Sequence, residues 1–498
     1  MRHYMQTLRE RGEILDVHRE VDPKHELAAV TQAAMRRWNK PILFHRVAGT
    51  TLPVLTNLYG SRERLADIIG IAPDDFCRQW TNLTGLGGAV AGPLKVEVPA
   101  APDLIECRLS DLPLLTYSER DGAPYFTSAM FVAKEPETGV PNLSFHRSMY
   151  ISDEELRCRL APRHHLTLYH EKAEQMGRPL EAAMLIGPPP TAFLAAAAPV
   201  PYDVDELEVA AQLAGAPIEM RPCRHIDLMV PATTEIVIEG RFLPNERRPE
   251  GPFGEFMGYY VPVGPQAVFE VLGVTRRPDA VFHSILCGSS EEVLSLELSV
   301  AANIYQRISA VLPGIVDVTC QPFVLHTVVK IRQQYEGHAR QVLMAVLGVE
   351  PTWAKAVTVV DEDVDIYDMN DVMWAILTRS RPDRDTIIIP DTPTFYRDPH
   401  RDHWGRIGTD ATAPYERRDD FVRTDRRVAC GDIRADELHQ LLIERGFRRS
   451  SLGRPDYRPE EQNEEPARVI GIRRPRMIEI FKDFSFEAAH HLAANVEE

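Results

Sequence analysis

Cysteine is scarce in this chain and shows no pairing: Cys77, Cys107, Cys158, Cys223, Cys287, Cys320 and Cys430 are odd in number, scattered, and form no C-x-x-C motif. That excludes a disulfide framework and a Cys-based zinc knuckle, and leaves free thiols in a reducing compartment, with the cytoplasm as the expected location. Positive charge is short as well. Lys and Arg number 56 against 73 Asp and Glu, a formal net charge of −17. Nucleic acid and anionic membrane surfaces both demand a basic face, so neither is an expected partner. Long apolar runs are missing. The longest uncharged stretch, residues 182–202, contains Pro188, Pro189, Pro190, Pro199 and Pro201, which break any membrane helix. It reads as a strand ending at Ile186, a proline turn and a small-residue segment. Met1-Arg-His-Tyr-Met-Gln carries no apolar core of a secretory signal.

What is present is ordinary globular composition, 44% hydrophobic and 26% charged over 498 residues, enough for several domains. Helical periodicity at 26–38, 166–176, 205–213, 292–311, 339–347 and 371–377 alternates with short β-branched runs. Those runs fall at 42–44, 52–55, 234–238, 267–274, 281–286, 356–360 and 386–389. The expected fold class is α/β (α+β), with a strand-rich middle between mixed ends. Residues 450–465 read as an exposed linker and 486–496 as a final helix that docks on a neighbour.

Several motif-like stretches fail on inspection. Gly85-Leu-Gly87-Gly88 lacks the third glycine of a dinucleotide loop, Val90 standing there. Asp361-Glu-Asp363-Val-Asp365 lacks the glycine turn and the bidentate acid of a calcium loop and reads as a solvated strand end. His490 and His491 are adjacent, so their side chains diverge on a helix. Three stretches are richer. Asn142-Leu-Ser144-Phe145-His146-Arg147 sets an amide, a hydroxyl and a cation near one strand end, or else forms a polar surface loop. Arg163-His164-His165 enters a helix with a capable ligand or a satisfied structural histidine. Glu250-Gly-Pro-Phe-Gly254-Glu255-Phe-Met-Gly258-Tyr-Tyr260 places two carboxylates five apart in a tight loop; such pairs push their pKa values apart, and a solvated turn is the plain alternative.

Taken in order, these stretches resemble the UbiD family of reversible (de)carboxylases that use prenylated FMN. The likeness also runs through Pro53-Val-Leu-Thr-Asn57-Leu-Tyr-Gly60-Ser-Arg, Asp205-Glu206 before Leu213-Ala-Gly215, and Gly408-Thr-Asp-Ala-Thr412. The resemblance implies an N-terminal α/β region (1–105), a split β-barrel flavin-binding domain (106–290), a linking helix (291–312) and a C-terminal α/β oligomerisation domain (313–498). It implies Asn142, His165 and Glu206 as ligands of a divalent metal, usually Mn2+, and K+ held by segment 195–198 with Glu206. Flavin contacts would come from these three and from Ser144, Phe145, His146, Arg147, His164 and Arg406. Arg147, Glu250 and Glu255 match the family's catalytic set: the arginine holds a substrate carboxylate, Glu255 donates a proton, and Glu250 tunes Glu255 and aims the arginine. The implied substrate is an aromatic, heteroaromatic or α,β-unsaturated carboxylic acid releasing CO2, with Phe256, Leu296 and Val300 either lining its pocket or belonging to the core. These apolar residues favour an undecorated acid. A flavin prenyltransferase would supply the cofactor, and the assembly would be a homodimer or homohexamer. The competing expectation is a flavin- and metal-binding carrier or assembly subunit of the same fold; retention of Arg147, Glu250 and Glu255 favours the enzyme.

Overall fold

The computed structural model describes residues 1–84, 93–101, 103–321, 323–392 and 405–424, with the short strands Arg448–Arg449 and Val469–Ile470. The chain divides into two units, Met1–Arg417 and Arg418–Glu498. In the second, the two short strands pair in parallel. The expected linker at 450–465, the terminal helix at 486–496, the Gly85–Gly88 stretch and the His490-His491 pair lie outside the described residues.

The first unit is mixed α/β. A four-stranded sheet near its start runs in the order Leu15–Val21, Ile42–Val47, Val54–Thr56, Phe282–Ser284. The helix Glu26–Trp38 packs beside it and ends where Asn39 turns left-handed (φ 47°), returning its amide to the Met35 carbonyl. The nine-stranded sheet at the centre follows the path Tyr125–Phe126, Ser148–Ser152, Glu155–Cys158, Gly264–Arg276, Ile236–Glu250, Leu180–Ile186, Met130–Lys134, Pro141–Phe145. Ile105–Cys107 adds to the Gly264–Arg276 strand. The path stays open, with no closed barrel among the described residues.

The centre of this sheet is covered on both faces. Ala182, Met184 and Ile186 enter one core with Phe131, Ile238 and Phe242, while Ala183 and Leu185 enter the other with Met130, Val132 and Leu143. Successive side chains of a strand point to opposite faces, so burial on both sides requires the near-continuous apolar run that this segment shows. Beyond Ile186 the expected small-residue segment takes the form of a helix, Pro190–Ala196. Proline is tolerated at its first position because that N–H has no intrahelical partner anyway.

Two helices deliver residues that the resemblance singles out. His165–Gln175 starts at His165 itself, and Glu206–Ala214 starts at Glu206. Asp205 caps the latter by accepting the Leu207 amide at 2.8 Å, and Gly215 ends it with φ 63°. The long helix Ser290–Ser309 leads into a five-stranded sheet ordered Ile315–Thr319, His326–Ile331, Ala356–Asp361, Arg406–Ala411, Thr386–Ile389. The acids at the end of its middle strand are not merely solvated: Arg379 donates to Asp361 at 2.9 Å and to Asp363 at 2.8 and 2.7 Å. No helix among the described residues is long and apolar enough to cross a membrane.

The long helix is fastened at its first turn. Glu291 accepts the Asn57 amide at 2.6 Å, the Tyr59 amide at 3.0 Å and His283 Nε2 at 2.9 Å. These bonds tie the Asn57-Leu-Tyr-Gly60 turn, the Phe282–Ser284 strand and the helix to one carboxylate. Gly60 is required there, because a Cβ would fall 1.8 Å from Asn57 Oδ1. Two turns on, Glu297 is buried with Oε1 lacking a hydrogen-bond partner, and burial pushes its pKa up to about 8. An acid whose folded pKa lies above its unfolded value favours the fold fully below the unfolded pKa, and loses that contribution as pH rises to the folded pKa. We therefore expect stability to fall between about pH 5 and pH 8. Glu297→Gln should flatten that slope and stabilise the protein by about 1–3 kcal/mol near pH 7.5. Urea denaturation of both proteins across this range is the check.

Candidate active site

Arg147 lies in the short connection between the strands Pro141–Phe145 and Ser148–Ser152. Its backbone carbonyl accepts the Arg159 amide at 3.1 Å, which fixes where the side chain leaves the sheet. Glu250 is the last residue of the long Ile236–Glu250 strand. Arg147 Nε and Nη2 each donate to Glu250, to Oε1 and Oε2 respectively, both at 3.0 Å, in a bidentate fork. Tyr125 donates its hydroxyl to Glu250 Oε1 at 3.0 Å. The guanidinium also sits 4.6 Å above the centre of the Phe253 ring. With side-chain exposures of 8% for Arg147 and 1% for Glu250, the pair is shielded from bulk water and its orientation is set by protein alone.

Glu255 enters from the turn after the two-stranded hairpin's first strand, Phe253–Gly254, which pairs with Tyr260–Val261. The turn closes through the Glu255 amide on the Tyr259 carbonyl at 3.0 Å, and Asp121 Oδ1 anchors it by accepting the Gly254 amide at 2.9 Å. Glu255 Oε1 lies 3.8 Å from Arg147 Nη1, an ion-pair distance too long for a hydrogen bond. Arg147 Nη1 is itself a buried donor without a hydrogen-bond partner.

These groups meet at a cavity of about 820 Å3, within the range of cofactor and ligand sites. Asn142, Ser144, Phe145, His146, Arg147, His164, His165, Glu206 and Glu255 all line it. Glu206 is buried and accepts Asn142 Nδ2 at 2.7 Å and the Leu143 amide at 2.8 Å, with His165 Nδ1 at 3.7 Å. Burial holds its carboxyl above the usual range, against the pull of His165 and the Leu143 amide. Ser144 Oγ stands 2.8 Å from Asn142 Oδ1 and 2.9 Å from His146 Nε2. His146 Nδ1 lies 3.1 Å from the Arg159 carbonyl, and its ring meets that of His164 edge-on at 6.0 Å.

Glu250 does not line the cavity; it stands behind Arg147 in the fork. Two expectations change. Val300 is fully buried core, whereas Phe256 and Leu296 do line the cavity. Arg406 is not brought to the cavity at all. Its Nη1 donates to the Leu347 and Glu350 carbonyls at 2.8 and 3.3 Å, and its Nη2 to that of Pro351. The helix His338–Val349 leaves carbonyls unsatisfied at its end, and a buried guanidinium satisfies them. The sequence reading also missed residues. Tyr125 carries no local signal, because only the fold brings it to Glu250. Glu292 lines the cavity, but the spelling Ser289-x-x-Glu292 reads as helix capping, and Ser289 does cap that helix.

Three family models match the chain. The 3-octaprenyl-4-hydroxybenzoate carboxy-lyase N-terminal domain covers residues 5–84, the Rift-related domain 92–290 and the C-terminal domain 294–411. An anhydromevalonate phosphate decarboxylase of Methanosarcina mazei is 33% identical over 431 residues, spanning 85% of this chain and 98% of that protein. The UbiD-class enzyme HmfF of Pelotomaculum thermopropionicum in complex with FMN is 34% identical with a TM-score of 0.80, covering 85% of this chain and 96% of its own. An evolved dimeric form of HmfF in complex with prFMN is 33% identical with a TM-score of 0.79, covering 88% and 99%.

The Tyr125 bond to a buried, doubly gripped carboxylate gives a test of the site's framework. Tyr125→Phe should lower stability by about 1–3 kcal/mol, the scale for a hydrogen bond to a charged group. A shifted urea midpoint at unchanged slope would report it.

Proposed function

We propose, for a chain that belongs to the UbiD family of carboxy-lyases, that it removes CO2 from an α,β-unsaturated, aromatic or heteroaromatic carboxylic acid with prenylated FMN as its cofactor. The observation that carries this reading is the Arg147–Glu250 fork, which leaves Nη1 directed at Glu255 where both line the cavity. A guanidinium locked from behind presents its remaining N–H groups in one direction, the arrangement that grips a carboxylate. Glu255 lies beside that cation and delivers a proton to the carbon that loses CO2. Glu250 is a positioning residue in this scheme. Prenylated FMN, when bound, supplies the electron sink for the broken carbon–carbon bond. The relative named for anhydromevalonate phosphate supports an unsaturated acid, and HmfF with prFMN supports the cofactor.

Asn142, His165 and Glu206 would hold a divalent cation such as Mn2+, an amide, imidazole and carboxylate forming a mixed O/N set. Proton counting supports a cation there. The Ser144 hydroxyl has one proton to share between Asn142 and His146. With the Asn142 amide nitrogen facing Glu206, Ser144 donates to Asn142, and His146 needs protons on both nitrogens. With the amide turned over, Asn142 donates to Ser144, Ser144 to His146, and a neutral imidazole to the Arg159 carbonyl. That orientation sets the amide oxygen 2.7 Å from the Glu206 carboxylate, a contact that a divalent cation held by Asn142 and Glu206, or a proton on Glu206, would make favourable. K+ would sit near the carbonyls that end the helix Pro190–Ala196, where Ala196, Ala197 and Ala198 line the cavity. The cofactor implies a flavin prenyltransferase as supplier, and the family resemblance a homodimer or homohexamer.

Removal of a metal ligand should uncouple the cofactor from the protein. His165→Ala and Glu206→Ala are each expected to lose manganese and flavin together, measured by elemental analysis and absorbance; full retention of both would overturn the assignment. Glu255→Gln should fold and bind flavin like the parent while initial rate per bound flavin drops ~10²–10⁴-fold. A rate within threefold of the parent would remove Glu255 as proton donor.

A further inference from the structure

Most hydroxyl groups that line the cavity are already spent on the protein. Ser144 is shared between Asn142 and His146, Thr127 donates to the Ile285 carbonyl at 2.6 Å, and Thr392 to that of Pro390 at 3.2 Å. Ser295 is different. It lies on the helix Ser290–Ser309, is 2% exposed and lines the cavity, yet its hydroxyl has no hydrogen-bond partner among the described residues. A helical serine often returns its hydroxyl to a carbonyl of the preceding turn. Ser299, one turn on, is bound in that way, with Oγ 3.1 Å from the Leu296 carbonyl and 2.9 Å from that of Ala197. One turn before Ser295, on the same face of the helix, Glu292 also lines the cavity. Its Oε1 accepts the Cys287 thiol at 3.3 Å and its Oε2 accepts the Gly288 amide.

We propose that Ser295 and Glu292 together form a subsite for a hydroxyl group that the substrate carries in addition to its reacting carboxylate. The ligand's O–H donates to Glu292, and its oxygen accepts the Ser295 hydroxyl. The inference rests on the decarboxylase reading of this cavity and narrows its substrate class to hydroxylated acids.

Donors and acceptors decide the case, not net charge. Arg147, Arg159 and Arg163 line the cavity along with Glu206, Glu255 and Glu292, so cations and acids are mixed throughout. A carboxylate has about four lone-pair sites, and a protonated carboxyl still keeps acceptor capacity. Protein donors fill one site on each Glu292 oxygen, so in either state there is room for another. Ser295 brings one donor and two lone pairs, all of them unused. A hydroxyl is the small group that donates and accepts at once, so it serves both neighbours. An ether cannot donate and an ammonium cannot accept. Ile285, Phe256 and Leu296 line the cavity too, so the rest of the ligand meets hydrocarbon. A methyl in place of the hydroxyl would strand the Ser295 donor away from bulk water, which is the strong form of discrimination against a substrate lacking the group. The subsite thus qualifies the expectation, drawn from Phe256 and Leu296, of an undecorated acid.

The test compares the binding of matched acids to FMN-loaded protein by calorimetry. The probes are 3-hydroxybenzoate against 3-methylbenzoate, 4-hydroxybenzoate against 4-methylbenzoate, and 4-hydroxybut-2-enoate against pent-2-enoate, each pair exchanging a hydroxyl for a methyl. The parent should bind the hydroxylated member of at least one pair about 10-fold more tightly. Ser295→Ala should bring that ratio below about 3 while leaving the affinity for the methyl member unchanged. Glu292→Met should lower the ratio similarly, and Glu292→Gln, which keeps an acceptor oxygen, should retain most of it. If Glu292→Met does not fold, Ser295→Ala and Glu292→Gln decide the matter. Equal affinities in every pair, or no binding by the parent, overturns the proposal, as does a ratio that survives Ser295→Ala or Glu292→Met or vanishes in Glu292→Gln. So does a Ser295→Ala protein that binds both members of a pair more weakly by the same factor, which would assign the hydroxyl to the carboxylate they share. Loss of flavin retention with the ratio unchanged would assign it to the cofactor and overturns the proposal too. CO2 release from the same acids by the prenylated-FMN enzyme is scored separately. Preference without release sinks the decarboxylase reading and spares this one; release without preference does the reverse.

Discussion

Arg147 faces three carboxyl groups at three distances, and the layout around it follows from how that one guanidinium is shared. Glu250 takes the two-toothed face of the cation and is kept away from the ligand, held by Tyr125 from the opposite side. Glu255 receives the weaker, longer approach at 3.8 Å. Glu292 receives only the more distant field. Three carboxyl groups around one cation thus occupy three different electrostatic environments, and chemistry that needs both fixed charge and mobile protons becomes accessible within a few ångströms. A second cation in place of any of them would collapse that distinction.

The rest of the architecture keeps these groups in register. Arg147 and Glu250 sit on a sheet covered on both faces, where a one-residue slip would exchange the two cores. His165 and Glu206 each occupy the first position of a helix, so the backbone entering the helix sets the direction of the side chain. Glu255 alone among the acids comes from a turn, though one anchored by Asp121. Strand and helix ends thus hold Glu250, His165 and Glu206, while Glu255 is carried by a hairpin turn.

Legibility in the sequence followed the range of the interaction. Helix Glu26–Trp38 falls where periodicity places it, because local patterning decides it. Strand Thr386–Ile389 also falls in place, but the apolar run that reads as a buried strand is an edge strand with Ile388 and Ile389 exposed. The helix after Pro189 escaped, since proline at a helix start and proline in a turn are spelled alike. The strand Ile236–Glu250 is far longer than its apolar portion, because cross-strand pairing with Gly264–Arg276 carries it through Arg-rich sequence. In the site, Asn142, His165, Glu206, Arg147 and Glu255 converge as the family resemblance implies. Residue chemistry alone left each of them beside a plain structural alternative. Tyr125 and Glu292 were invisible for opposite reasons: the first has no motif, and the second has a motif with a sufficient structural explanation.

Glu291 and Glu292 are neighbours with opposite duties, one seated in the junction beneath the Asn57 turn and the other in the cavity wall. Consecutive residues on a helix diverge by roughly 100°. Adding or removing one residue inside the helix, between Glu292 and the core position Leu294, would therefore rotate both acids against the face that packs into the core, driving the anchoring carboxylate toward the cavity or its neighbour into the junction. No single substitution repairs such a rotation. The first turn of the long helix is thus a stretch of fixed length, even where the loop before it can change.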